Sequence, residues 1–224
     1  MKRNRSRIVR WAWWTALVTA TLVVPAFWLD KAVSRALVPD AWPGDLLKLV
    51  MLSEAFAHTF GVAAILIAVW LLDADSARRL PLLLAATLGS GIPVQLVKRI
   101  VGRLRPSAWN MEGPIGDSFV GCCPWRTSGW EALSDASIQS FPSAHTALAV
   151  ALGWGLSWAY PRGRWLFGLL AVLAGLQRVV AHAHYLSDVL AGAALGTLAF
   201  ALCADPRFFG KWLDPDSPAP PPTL

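Results

Sequence analysis

The chain of 224 residues is short of cysteine, tyrosine and charge. Its three cysteines include the adjacent pair Cys122 and Cys123, which supply neither a disulfide framework nor metal-ligand spacing. Neighbouring cysteines bridge one another only under strain. Charged residues reach 15%, against ~25% in an average soluble domain, which argues against an ordinary water-soluble enzyme. Acid is scarcer than base: 14 Asp and Glu face 20 Lys and Arg, for a net charge of +6. That balance would suit nucleic acid, but the cations are scattered at the ends of apolar runs instead of forming one patch, so no nucleic-acid partner is expected. The chain has no internal repeat, and its loop acids lack an accompanying histidine. Neither a metal nor a cofactor is expected.

What the chain does have is hydrocarbon: 55% of its residues are hydrophobic, and 13 tryptophans outnumber two tyrosines. Tryptophan favours membrane interfaces, and the composition predicts an integral membrane protein. Residues 11–29 carry no charge and come close to the ~20 residues needed to cross a bilayer as helix. They follow a basic, acid-free stretch, residues 1–10. A signal peptide shares that pattern, but the run is long and ends in Phe-Trp-Leu, so an uncleaved span is favoured. Residues 30–48 read as a polar loop broken by Pro39, Pro43 and Gly44. Further spans are predicted over 49–72, 80–97, 141–160, 165–181 and 189–204. The expectation is an all-α bundle of six transmembrane helices.

Residues 11–204 form the membrane domain in this reading, with a long loop at 107–140 and a proline-rich, disordered tail at 205–224. A short helix is expected near 130–136. An N-terminus inside the cell leaves eleven of the twenty basic residues cytoplasmic. Of the nine opposite them, Lys98, Arg105 and Arg178 are candidates for chemistry, which leaves a positive-inside bias. The 107–140 loop then lies outside the cytoplasm and the tail within it. The expected location is a bacterial cytoplasmic (inner) membrane, with the working end facing the periplasm or exterior.

The unusual residues collect at that end. Lys98 and Arg105 close the third span, Ser143 and His145 open the fourth, Arg178 ends the fifth, and His184 with Asp188 starts the sixth. In the stretch QRVVAHAHYLSD at 177–188, His184 and Asp188 are four apart, one face of a helix. The alternative for this stretch alone is a polar cluster anchored in headgroups. Three cations around one point suit an anion with several oxygens, and arginine's planar fork suits phosphate. Pro142 fits a first helical turn, whose free N–H groups attract phosphate. With phosphate bound, His184 oriented by Asp188 can act as nucleophile and His145 as general acid.

These residues resemble a known family. KRIVGRLRP at 98–106 is similar to the K-x6-RP motif of the type 2 phosphatidic acid phosphatases (PAP2), membrane lipid-phosphate phosphatases related to vanadium haloperoxidases. FPSAH at 141–145 looks like their PSGH motif, and Arg178-x5-His184-x3-Asp188 like their SR-x5-H-x3-D motif. The resemblance implies a PAP2/haloperoxidase-like core and a metal-independent histidine-nucleophile phosphatase. It further implies that Lys98, Arg105, Arg178, Ser143 and the Ala144 backbone bind phosphate. Ala144 replaces the family's glycine and Gln177 its serine. The substrates implied are undecaprenyl pyrophosphate, lipid A phosphate, phosphatidylglycerol phosphate or phosphatidic acid. A phosphotransferase using the same phosphohistidine is the alternative, and a non-catalytic transporter a more distant one.

Other polar residues have plainer readings. His182, two positions from His184, is expected to be structural or at the rim. Glu54 and His58, one turn apart, suggest an interhelical polar contact. Gly192 and Gly196 suit close helix packing within the bundle. Arg99 and Arg103 lie off the motif positions and are expected to meet anionic headgroups. The loop acids Glu112, Asp117, Glu131 and Asp135 are expected to be solvated.

Overall fold

A computed structural model of the chain describes residues 2–213. The proline-rich end of the predicted tail, residues 214–224, lies outside the described residues. The helices are α1 (Lys2–Ala36), α2 (Gly44–Leu52), α3 (Thr59–Leu72), α4 (Ser76–Gly89), α5 (Gly91–Ile100), α6 (Trp125–Ser128), α7 (Ala144–Ala159), α8 (Arg164–Val180), α9 (Leu186–Ala204) and α10 (Gly210–Leu213). The all-α expectation needs one addition: strands β1 (Val101–Arg103) and β2 (Phe119–Cys122) pair antiparallel in the long loop. The short helix expected near 130–136 is two 3-10 turns, Trp130–Leu133 and Ala136–Ile138.

Among the described residues, four helical stretches are long and apolar enough to cross a bilayer: Ser6–Ala36, Ser76–Ile100, Pro161–Val180 and Leu186–Ala204. A fifth is counted if α2 and α3, bent by 66°, act as one broken span. The predicted span at 49–72 is therefore not one straight helix. The predicted fourth span, α7, has 16 residues. At 1.5 Å per residue it extends roughly 24 Å, short of a ~30 Å hydrocarbon layer. It can be short because it lies inside the bundle, buried through most of its length against α4, α8 and α9.

Small residues let these helices close up. Without a hydrophobic drive inside lipid, helices associate through tight packing, which small side chains permit. A Cβ on Gly192 would sit 2.3 Å from the Ser143 carbonyl oxygen, and one on Gly196 2.2 Å from that of Ala147. The packing reading of this glycine pair holds, and the partner is α7. Outward faces carry the large apolar side chains; Phe60 is 81% exposed and Trp165 79%. Such surface on helices long and apolar enough to cross a bilayer suits lipid, and the chain is an integral membrane protein.

Two predicted loops are structured. Residues 30–36 continue α1, because nothing breaks the helix before Pro39, and their inner face buries Asp30 and Ser34. Residues 205–213, expected in the tail, fold back on the bundle: the buried Asp205 accepts from Trp13 Nε1 at 2.9 Å and from Arg207. The start of α1, the 73–79 turn and the 161–164 turn share one end; the ends of α5 and α8 share the other with the starts of α7 and α9.

Candidate active site

At that second end, the last turn of α5 delivers Lys98 and the last turn of α8 delivers Arg178. Between them β1 leads into Arg105, whose N–H donates to the Ser137 carbonyl at 2.8 Å. Ser140 N–H donates to the Arg103 carbonyl at 3.0 Å, so the segment 137–140 is laid alongside β1. It then turns at Pro142 into α7. Pro142 stands before the N-cap Ser143 and not in the first helical turn as expected. Ser143 Oγ caps the helix, accepting from the Thr146 N–H at 3.4 Å and its hydroxyl at 3.0 Å. Ala144 begins the helix with a negative φ, so the family's glycine is not needed there for a left-handed backbone. The first-turn N–H groups of α7 have no intrahelical acceptor, the ordinary condition of a helix start.

The two histidines face each other electrostatically. Arg178, His184, His58 and Arg105 all lie close enough to act on the charge of His145. Lys98 is in the same reach of Arg105 and Asp188. The six predicted residues Lys98, Arg105, His145, Arg178, His184 and Asp188 are thus brought together at one end of the bundle. Their cations differ in occupancy. Lys98, nearly buried, donates to the Gln139 carbonyl. Arg178 pairs with Glu54 at 3.1 Å. Arg105 has no acidic partner among the described residues, and its buried Nε has no hydrogen-bond acceptor.

His184 and Asp188 do not share a helical face. Helix α9 begins only at Leu186, so His184 sits in the preceding turn and Asp188 at the third helical position. His184 Nδ1 contacts the Ser140 carbonyl oxygen at 2.7 Å, whereas Asp188 Oδ2 is 3.7 Å away. A carbonyl can only accept, so Nδ1 carries the hydrogen and Nε2 keeps its lone pair. Asp188 acts one step back: its Oδ2 accepts from Ser140 Oγ at 2.6 Å and from the Tyr185 N–H at 2.9 Å. Burial holds the His184 imidazole below its ordinary value of 6.5; Asp188 opposes this, while Lys98 and Arg105 reinforce it.

Behind Asp188 lies a buried charge network absent from the sequence reading. Arg103, expected at headgroups, is wholly buried. Its guanidinium donates to Asp188 Oδ1 at 2.5 Å, to Ser187 Oγ at 2.8 Å and to Asp30 Oδ2 at 2.7 Å. The rings of Phe27, Phe119 and Tyr185 surround it, with Tyr185 4.1 Å from the guanidinium carbon. Asp30 also accepts from the Ser187 N–H at 2.8 Å and its hydroxyl at 2.5 Å. The start of α9, with Asp188 on it, is thereby tied to α1 and β1. Asp30 was the first acid of the chain, just past an uncharged run; that was the available signal.

Glu54 and His58 come from the bend between α2 and α3. Glu54 makes the interhelical contact expected of it, with Arg178 and with Gln177 Nε2 at 3.3 Å. Gln177 therefore points to Glu54. His58 lies 6.3 Å from His145, ring centre to ring centre. His182 takes a left-handed backbone (φ 52°) at the end of α8, and its carbonyl accepts from the Ser107 N–H. Arg99 is exposed.

Fold and site define a class: a membrane-embedded helical bundle with two histidines, a buried carboxylate and three cations at one end. Residues 79–208 match the PAP2 superfamily, more than half of the chain, and the protein belongs to that family. Lipid A 1-phosphatase of Rhizobium etli is 36% identical over 107 residues, 48% of this chain and 41% of the relative. The chain thus aligns with less than half the length of that relative. Bacitracin transport permease protein BcrC of Bacillus licheniformis is 40% identical over 60 residues, 27% of this chain and 30% of its own. Among solved structures, LpxE of Aquifex aeolicus superposes with a TM-score of 0.58 at 21% identity, covering 77% of this chain and 92% of that one; the likeness is one of fold.

Proposed function

We propose that the protein hydrolyses a phosphate ester of a membrane lipid through a phosphohistidine on His184, with a lipid A phosphate as the first candidate substrate. The observation that carries this reading is the 2.7 Å contact of His184 Nδ1 with the Ser140 carbonyl. It leaves Nε2 as the basic, nucleophilic nitrogen beside three cations and the open start of α7. Arg105, lacking an acidic partner among the described residues, is the cation readiest to take a phosphate oxygen; Lys98 and Arg178 join it. Ser143 Oγ–H and the Ala144 N–H complete the cradle.

In the first step the Nε2 lone pair attacks phosphorus and the P–O bond to the lipid breaks. The leaving oxygen takes a proton from His145 and departs as the lipid alcohol. An incoming phosphate dianion favours the protonated imidazole that this requires. Neutral His145 then takes a proton from water, the hydroxide attacks phosphorus, and the P–N bond returns its electron pair to Nε2. Asp188, with Arg103 and Ser140 holding it, favours the imidazolium formed along the way. The cations stabilise negative charge on the phosphoryl oxygens in both steps.

Similarity to Lipid A 1-phosphatase supports the lipid A assignment over the other lipid phosphates. The charge bias supports placement in a cytoplasmic membrane with the site facing away from the cytoplasm. The test is phosphate release from purified lipid A 1-phosphate, undecaprenyl pyrophosphate, phosphatidylglycerol phosphate and phosphatidic acid, wild type beside His184→Ala. Release by the wild type alone, fastest from lipid A, is the expected result. No release from any of the four would overturn the reading.

A further inference from the structure

At the end of the bundle away from the histidines, α1, α7, α8 and α9 border a cavity of about 740 Å³. Such a volume lies within the ~300–1,000 Å³ of ligand pockets. On α1 it runs from Arg7 to Thr19 and on α8 from Arg164 to Val172. At 1.5 Å per residue these are roughly 18 Å and 12 Å. The depth is that of one leaflet, about half of a ~30 Å hydrocarbon layer. Its lining includes none of Lys98, Arg105, His145, Arg178, His184 and Asp188, so this is a separate site.

The wall suits hydrocarbon. Three of its four hydroxyls are already satisfied within their own helices: Thr19 donates to the Thr15 carbonyl, Ser157 to that of Gly153 and Thr197 to that of Ala193. The mouth is different. Arg79 there is engaged by Asp73 at 2.8 Å and Asp75 at 3.2 Å. Arg7 and Arg164 have no acidic partner among the described residues, and Arg164 is set against the Trp165 ring. An apolar slot one leaflet deep, with two guanidinium groups at its rim that lack an acidic partner among the described residues, suits a hydrocarbon chain carrying an anionic head.

We propose that this cavity binds an anionic phospholipid of the leaflet opposite the active site, its phosphate on Arg7 and Arg164 and an acyl chain along α7. Guanidinium groups suit phosphate oxygens, and a ligand that binds only the folded bundle stabilises it. The site does not depend on which lipid phosphate, if any, the histidines process.

The test uses the full chain purified in detergent, titrated with phosphatidylglycerol or phosphatidylcholine and read by native mass spectrometry. Wild type should retain phosphatidylglycerol about tenfold better, as two basic groups near a headgroup allow. The double variant Arg7→Gln/Arg164→Gln should lose that preference. Gly168→Leu, at a wall position where an added Cβ meets nothing within 4 Å, should reduce retention of both lipids by filling the slot. If Gly168→Leu is not monodisperse with wild-type helicity, Val172→Trp replaces it on the same wall; if the double variant is not, the single variants Arg7→Gln and Arg164→Gln replace it. Equal retention of the two lipids by wild type, or undiminished phosphatidylglycerol in the variants, overturns the proposal. So does a change of oligomeric state in Gly168→Leu without loss of lipid, which would assign the slot to a second copy of the chain.

Discussion

At the scale of single residues, the chemistry turns on which nitrogen of His184 holds the hydrogen. The Ser140 carbonyl decides it, and no sequence spacing announces a carbonyl forty-four positions away. The acid–histidine pair was legible as a pair, but its geometry was read as one helical face, and the helix starts too late for that. His184→Ala should abolish phosphate release with expression intact. His182→Ala should keep most of it, because His182 closes the end of α8 through its backbone. Equal loss in both would move the nucleophile. The pH profile follows from burial. In the proposed mechanism His184 attacks as the neutral imidazole, and desolvation lowers its pKa from 6.5, so the neutral form persists to lower pH. The acidic limb of kcat/KM in the wild type should fall below pH 6.5; a limb above that value would contradict the desolvated nucleophile.

At the scale of elements, Arg103 joins three segments that are far apart in the chain. Asp30 lies 73 residues before it and Asp188 lies 85 after it. Pairings of that separation leave no periodic trace, and a motif that skips Arg103 hides it further. Removing one member of a buried ion network typically costs about 3–5 kcal/mol, since the partners stay buried and uncompensated. Arg103→Met should therefore lower stability by about that amount, measured by thermal unfolding in detergent. A loss below about 1 kcal/mol would mean the network is solvated or redundant. Helix contacts were more legible: Gly192 and Gly196 announced close packing and found it against α7. The long loop hid most. Its strands β1 and β2 are three and four residues long, too short for alternation to show, yet they carry Arg103 into place and align Ser140.

For the molecule as a whole, the sequence separates its two ends by charge, and the fold keeps that separation. Eleven of the twenty basic residues belong to the segments at the end with the start of α1, while the candidate site occupies the other. The number of spans was less legible, because apolar run length cannot distinguish a helix in contact with lipid from one, like α7, enclosed by its neighbours. With cations serving the phosphate, chelation with EDTA should leave phosphate release unchanged; strong inhibition restored by a divalent ion would require a metal in the mechanism. The most direct measurement is of the covalent intermediate itself. Wild-type protein quenched during turnover of a lipid phosphate should carry an acid-labile, base-stable phosphoryl group that peptide mass spectrometry maps to His184. Turnover with no phosphoprotein formed, or with the group on His145, would contradict it.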